Sequence, residues 1–550
     1  MVIKSLFTAA VFYFCSSSLL IAQTFTSSNL PIVIINTGGQ AIVDEPKIMA
    51  DMGIIYNGAG VRNNVTDLQN NYKGKIGIEI RGKSSQQFPM KSYSVELWDA
   101  AGASVNKNIL GMPAESDWVL YAPYTDKTLM HNVLAYAISN ELGHWAAHCR
   151  YVEVLLNNNY IGVYVLMEKI KRGAARINIP KLKITDISGD ALTGGYVFKI
   201  DKIDVDEEGW FSQVKPYNAV RNQQIQFIYY YPKTADIVAQ QKAYIKNYVD
   251  SFELALSSNS FQDTIKGFRK FAGINSFIDY NILNEVSRNV DGYRLSSYFY
   301  KDKKSNGGKI IAGPVWDYDI AFRNANYCEG SSTSGWAYQF NSVCNTDNWL
   351  VPFWWERFMQ DTAYKATLYC RWKQLRQNTL SNQHINFLID SISTVLAEAQ
   401  QRHFQKWPIL GQYVWPNPNP IPTTYGEEIS TLKQWLASRV NWMDLNIPNI
   451  GACAQWPVDV KGTMIIKIFP SPFKNNLQVQ VQSKKPQTIQ LQISNAMGQV
   501  VFTKQINALA GINVFTDFVD VKWATGVYNF YFTSEDGAKV LERVVRQSNY

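Results

Sequence analysis

At 550 residues the chain exceeds a single ordinary domain and has ample material for large cores, so two domains are the simplest expectation. Its formal charge of +8 is spread along the sequence and not gathered into a basic block. That argues against a nucleic-acid partner and leaves acidic or phosphorylated partners open.

The first 22 residues carry a lone Lys4, an apolar stretch over 6–14, a serine run and a second apolar run ending at Ala22. This is the pattern of a secretory signal peptide, with cleavage expected near Ala22. No later stretch approaches the roughly 18 uninterrupted apolar residues of a membrane span, so no transmembrane segment is expected once the signal is removed. Of six cysteines, Cys15 leaves with the signal, and the odd remainder predicts at least one free thiol. Cys328 and Cys344 bracket a loop rich in Ser, Gly and Asn, which in an oxidising compartment reads as a disulfide.

Residues 77–85 lead through Arg81-Gly82-Lys83-Ser84-Ser85 into an alternating strand over 91–97, with Lys91 at its start. On position alone, Lys91 reads as a solvated strand-end charge. A strand over 116–121 follows. Asp126 can cap a helix running from about Lys127 to Leu142 and stopped by Gly143. His144 and His148 have i,i+4 spacing, but with the helix ended at Gly143 they read as helix-end polar residues. Alternating runs over 151–156 and 161–166 about Asn157-Asn158-Asn159 predict a hairpin, with Glu168 just beyond it. Another strand ends in Asp201. Helical periodicity is expected over 234–271 and again over 275–286.

The second of these helices delivers the chain to the stretch that concentrates its chemistry, residues 289–319. Here Asp291 lies in a polar loop, alternating segments over 296–300 and 309–315 flank the turn Asn306-Gly307-Gly308, and Asp317 and Asp319 close the run. A hairpin brings acids from both sides to one end of a small sheet. Converging carboxylates there point to a metal or proton-transfer site. Downstream lie a tryptophan-rich region (Trp349, Trp354, Trp355, Trp372), helices over 382–405 and 427–443, and a Pro-rich segment over 415–422 that reads as a surface strap. From about residue 464, short alternating segments separated by turns predict a small β-sandwich.

Several stretches together resemble the spore-coat protein H (CotH) kinase-like family. They are Arg81 to Ser85 with Lys91-Ser92-Tyr93, then 116–136, 151–172 and 193–201, and finally the 289–319 stretch with Val315-Trp316-Asp317-Tyr318-Asp319. The resemblance implies an α+β, atypical protein-kinase-like fold over residues 30–450, phosphorylating Ser or Thr of secreted or surface proteins with ATP and Mg2+ or Mn2+. It assigns Asp291 as the base that accepts the substrate hydroxyl proton and Asp317 as metal ligand, with Asp319 a second metal or structural carboxylate. Lys91 becomes the phosphate contact and Glu168 its candidate partner. There is no Gly-x-Gly-x-x-Gly loop, so the Arg81 to Ser85 loop is the expected phosphate cradle. Where the family has polar Asn or His side chains after the loop Asp, this chain has Leu295-Ser296-Ser297.

After a linker over 451–462, residues 463–550 resemble the type IX secretion C-terminal sorting domain of Bacteroidetes. The matching pieces are Phe469-Pro470-Ser471-Pro472, Asn495-Ala496-Met497-Gly498 and Gly526-Val527-Tyr528. That resemblance implies passage through the periplasm, handling by the type IX machinery, and release or attachment at the outer-membrane surface. Two alternatives stand beside the kinase reading. One is a surface binding or adhesion protein on the same scaffold; the other is carbohydrate recognition through Trp354 or Trp355.

Overall fold

The computed structural model describes residues 25–449 apart from residue 59, then Cys453, and residues 464–547 apart from 470–472, 474–476, 484, 496–499, 517–522, 524–525 and 536–538. The expected signal segment, and the expected linker apart from Cys453, lie outside the described residues. By contacts the chain divides into two compact units, Met1–Phe353 with Asn382–Met443, and Trp354–Ser381 with Asp444–Tyr550.

The first unit begins with a closed seven-stranded barrel. Its strands are β1 (Ile32–Asn36), β2 (Ile48–Ile55), β3 (Tyr72–Arg81), β4 (Ser92–Trp98), β5 (Asp117–Tyr121), β6 (Cys149–Leu156) and β7 (Asn159–Glu168). They run in the order β6-β7-β5-β4-β3-β2-β1, and β1 closes the barrel by pairing in parallel with β6. The side-chain period of two sends alternate residues inward. Ile76 and Ile78 of β3, Val95 and Leu97 of β4, and Trp118 and Leu120 of β5 meet in one core. The 151–166 hairpin forms as expected, and Asn157 and Asn158 both take positive φ at its turn, which asparagine tolerates.

Helix α1 (His131–Glu141) links β5 to β6. It starts four residues later than the periodicity predicts, because Leu129 is left-handed (φ 62°) and cannot sit inside a helix. Asp126 still serves the first turn, accepting a 2.7 Å hydrogen bond from the His131 backbone N–H.

A second sheet follows, made of β8 (Tyr196–Ile200), β9 (Gly209–Phe211), β10 (Gln226–Tyr231), β11 (Ser297–Lys301) and β12 (Ile310–Ala312). Its order is β9-β10-β8-β11-β12, antiparallel throughout. Between β10 and β11 lie α2 (Ala239–Ser257) and α3 (Ile274–Ser287). The helix expected to reach Phe271 ends at Ser257. There Ser258 turns extended and its hydroxyl donates to the Ala255 carbonyl, the local competition by which serine disfavours helix interiors. The β11–β12 hairpin forms as read from the sequence, with Tyr300 opposite Ile311.

Three further readings are corrected. The 382–405 helix is two helices, Asn382–Leu396 and Ala399–Lys406. The Pro-rich strap is anchored at its centre, where Pro416, Asn417 and Pro418 are buried and the Asn417 amide donates to the Thr125 carbonyl. Trp354, Trp355 and Trp372 are buried, which removes the exposed ring faces that sugar stacking would need. Cys328 and Cys344 are bonded as expected, Cys370 is bonded to Cys453, and Cys149 is the free thiol.

The second unit contains two antiparallel sheets, of three and four strands, spanning residues 464–546. Val479, Val481, Ile489, Leu491, Ile493, Phe530 and Phe532 share one core between them, as a sandwich requires.

Candidate active site

Asp291 follows α3, whose end is set by the left-handed Arg288. Its carboxylate accepts a 2.7 Å hydrogen bond from Arg294 Nη2. Arg294 is itself buried: it also donates to the Trp349 carbonyl, reaches Asp347 at 3.2 Å and lies 4.0 Å from the centre of the Phe340 ring. A guanidinium fixed at so many points holds Asp291 in one orientation.

Asp317 comes from the other arm, five residues beyond β12, and is left-handed (φ 63°). Such strain in a non-glycine residue persists only where neighbours enforce it, and the neighbours are visible. The Asp317 backbone N–H donates to the Tyr136 hydroxyl (3.1 Å), and the Tyr318 N–H donates to Asn132 Oδ1 (2.6 Å), both on α1. The Tyr318 hydroxyl donates to Asn284 Oδ1 on α3 (3.0 Å). The Asp319 carbonyl accepts from Asn324 (2.8 Å) and contacts His131 Nδ1 at 3.0 Å.

The carboxylates so placed raise one another's affinity for protons. Burial first, and then the charges of Asp291 and Asp201, push Asp317 up to about 6, against the pull of Arg81. Its side chain is exposed, yet enough protein surrounds it for desolvation to be the largest influence on it. Asp319 is held well above the ordinary range by burial and by Asp317, Asp291 and Asp126. Asp291 is also raised by burial, with Arg294 and Lys202 opposing. Like charges gathered in a recess are what a bound cation would relieve. Among the described residues, no three His, Cys, Asp or Glu side chains form a metal-holding group on their own. The adjacent, hydrogen-bonded Asp317 and Asp319 nevertheless fit Mg2+, which takes one or two carboxylates and completes its shell with water and phosphate oxygens.

At the edge of this recess stands Arg81, the last residue of β3, 5.5 Å from the centre of the Trp316 ring. Trp316 in turn stacks on Tyr136.

Residues 78–443, two thirds of the chain, match the family described as CotH kinase protein. The protein belongs to the CotH family. Residues 467–547 match the secretion system C-terminal sorting domain. No curated protein matches the chain. The sorting domain marks this CotH protein for secretion and attachment at the cell surface through the type IX system, and no helix among the described residues is long and apolar enough to cross a membrane.

Of the residues singled out in the CotH region, the fold brings together Asp291, Asp317, Asp319 and Arg81. It does not pair Lys91 with Glu168. Lys91 donates 2.5 Å to the Gln86 carbonyl. Glu168 is buried and is held by His148 Nδ1 (2.7 Å) and Arg176 Nε (3.4 Å), because a buried carboxylate must be paired with the donors nearest it. Sequence reasoning noted Asp201 only as a strand end, yet its charge acts on both Asp291 and Asp317. It gave Lys169, one of the charged residues that follow the hairpin, no role. The available signal was its place directly after a strand whose preceding residues are buried without interruption.

Proposed function

We propose that this protein is a secreted atypical Ser/Thr protein kinase that transfers the ATP γ-phosphate to exported or cell-surface proteins, with residues 30–450 as its catalytic domain. The observation that carries this is the recess in which Asp201, Asp291, Asp317 and Asp319 oppose one another electrostatically with Arg81 at the edge. Asp291, oriented by Arg294, accepts the proton of the acceptor hydroxyl. Asp317 and Asp319 hold Mg2+ or Mn2+, which when bound neutralises phosphate charge. Arg81 contacts the phosphates from the opposite side. Family membership supports the same reading.

One observation favours a second reading, a catalytically weak surface-binding protein on this scaffold. Leu295 and Ser297 are both buried and the Ser297 hydroxyl is spent on the Leu295 carbonyl, so the segment offers no amide or imidazole as a second ligand and leaves only the half-exposed Ser296 hydroxyl. Incubating the purified protein with Mg-ATP and a generic protein acceptor separates the two. Phosphate transfer that Asp317→Ala abolishes is the expected result. A wild-type protein that neither binds Mg-ATP nor transfers phosphate hands the case to the binding protein.

A further inference from the structure

We infer that the outer face of β3 is the nucleotide track, with the purine base stacked on Trp98 at the end remote from the acidic recess. This deepens the kinase reading and rests on it.

Ile76 and Ile78 point into the barrel core, so Gly77, Glu79 and Arg81 share the outward face of the same strand. Arg81 stands at the acidic recess. Gly77, four residues back, is about 13 Å away at ~3.3 Å per residue, the span of an extended nucleoside triphosphate. At that end the Trp98 indole lies directly on the Gly77 backbone. A Cβ at Gly77 would meet Trp98 ring atoms at 2.1 Å, so only glycine admits the ring there. One face of the indole is thus fixed, and the ring borders an open groove lined also by Glu45, Pro46, Lys47 and Glu79.

Lys169 lies between the two ends. Its charge acts on Glu79, and it in turn feels Arg81, Asp117 and Lys47. Burial lowers its pKa, and among the described residues it forms no ion pair. A half-buried ammonium with no ion pair is costly unless something anionic comes to it. Glu79, hydrogen-bonded by Ser94, and Glu45 are the carboxyls at the groove that can accept from an exocyclic amine of the base. Along the outward face of β3, therefore, Trp98 stands at one end and Arg81 with the acidic cluster at the other, with Glu79 and Lys169 between, which matches base at one end and phosphates and metal at the other. Stacking supplies affinity at the first, charge at the second.

Calorimetric titration of the full chain with Mg-ATP and with Mg-tripolyphosphate, which lacks the base, tests this. Trp98→Ala is expected to weaken ATP at least tenfold while leaving tripolyphosphate within about twofold, the loss of one base-stacking contact. Trp98→Phe keeps most of the ATP affinity, and Lys169→Met weakens both ligands. Unchanged ATP affinity in Trp98→Ala, or equal loss of both ligands, overturns the shelf. A wild-type protein that binds neither ligand sinks the kinase reading and the track with it, whereas one that binds both equally tightly keeps the phosphate site and removes the shelf alone.

Discussion

Two clusters of charge in the first unit, one enclosed and one reaching solvent, follow opposite rules. Glu285, on α3, is fully enclosed with Arg439 at 3.1 Å, and its oxygens also accept from the Ala337 and Tyr338 backbone N–H groups and the Tyr293 hydroxyl. Arg439 donates in turn to the Glu285, Gly335 and Thr333 carbonyls. Opposite charges there satisfy each other. Elsewhere in the unit Asp291, Asp317, Asp319 and Asp201 gather with the same sign, opposed by Arg81, Arg294 and Lys202. The first cluster is complete in the protein itself, while the second has an excess of one sign that only something from outside can balance. Strongly perturbed acids in a recess mark function for that reason.

Substitutions can break this contrast from either side. The largest effect is expected from Asp317→Asn, which removes the charge proposed to hold the metal and should lower phosphate transfer by at least about 10³-fold, roughly 4 kcal/mol of barrier, in an assay of acceptor phosphorylation. Next is Arg439→Leu, which strands Glu285 and should cost about 3–5 kcal/mol in denaturant unfolding. Adding Glu285→Met to it should recover much of that loss, since two apolar groups leave no buried charge behind.

The pH dependence is smaller and has a definite sign. Asp317 is raised from its ordinary 3.8 to about 6, so its charged form costs folded stability. That cost is absent below about pH 4 and complete above about pH 6. Asp317→Asn should therefore raise the unfolding free energy at pH 8 by about 1 kcal/mol once solvent screening is allowed for, read by denaturant unfolding, and the gain should vanish at pH 4. At limiting Mg2+, transfer by the wild type should fall as pH drops through about 6, and added Mg2+ should move that fall to lower pH. Smallest of all is Lys91→Ala. With its ammonium on the Gln86 carbonyl, it should change transfer less than about threefold, against a loss of tenfold or more for Arg81→Ala, a charge-assisted contact.

The two arms of the site were legible because each rests on local signals. Asn306-Gly307-Gly308 announced the hairpin, and acids flanking it in sequence had to lie near one end of its sheet. The β-rich C-terminal region was legible for the same reason, alternation between turns. Barrel closure was not, because the parallel pairing of β1 with β6 joins segments more than 100 residues apart and leaves no periodic mark on either. Nor were the electrostatic partners. Glu168 seemed free to meet Lys91 until the fold placed His148 and Arg176 beside it, and Asp201 looked like one more strand end until β8 was laid next to β11. Pairings between distant elements decide which charges meet, and a single sequence does not record them.

The left-handed backbone of Asp317 has a consequence for how this protein can change. Its carboxylate is repelled by its neighbours and its φ of 63° suits glycine better than aspartate, so Asp317→Gly relieves charge and strain together while Asp317→Asn relieves the charge alone. Inactivation is then downhill in folding free energy. A selection for heat resistance alone, applied to a library of this chain, should enrich variants that have lost Asp317, and only a selection that also demands phosphate transfer would keep it.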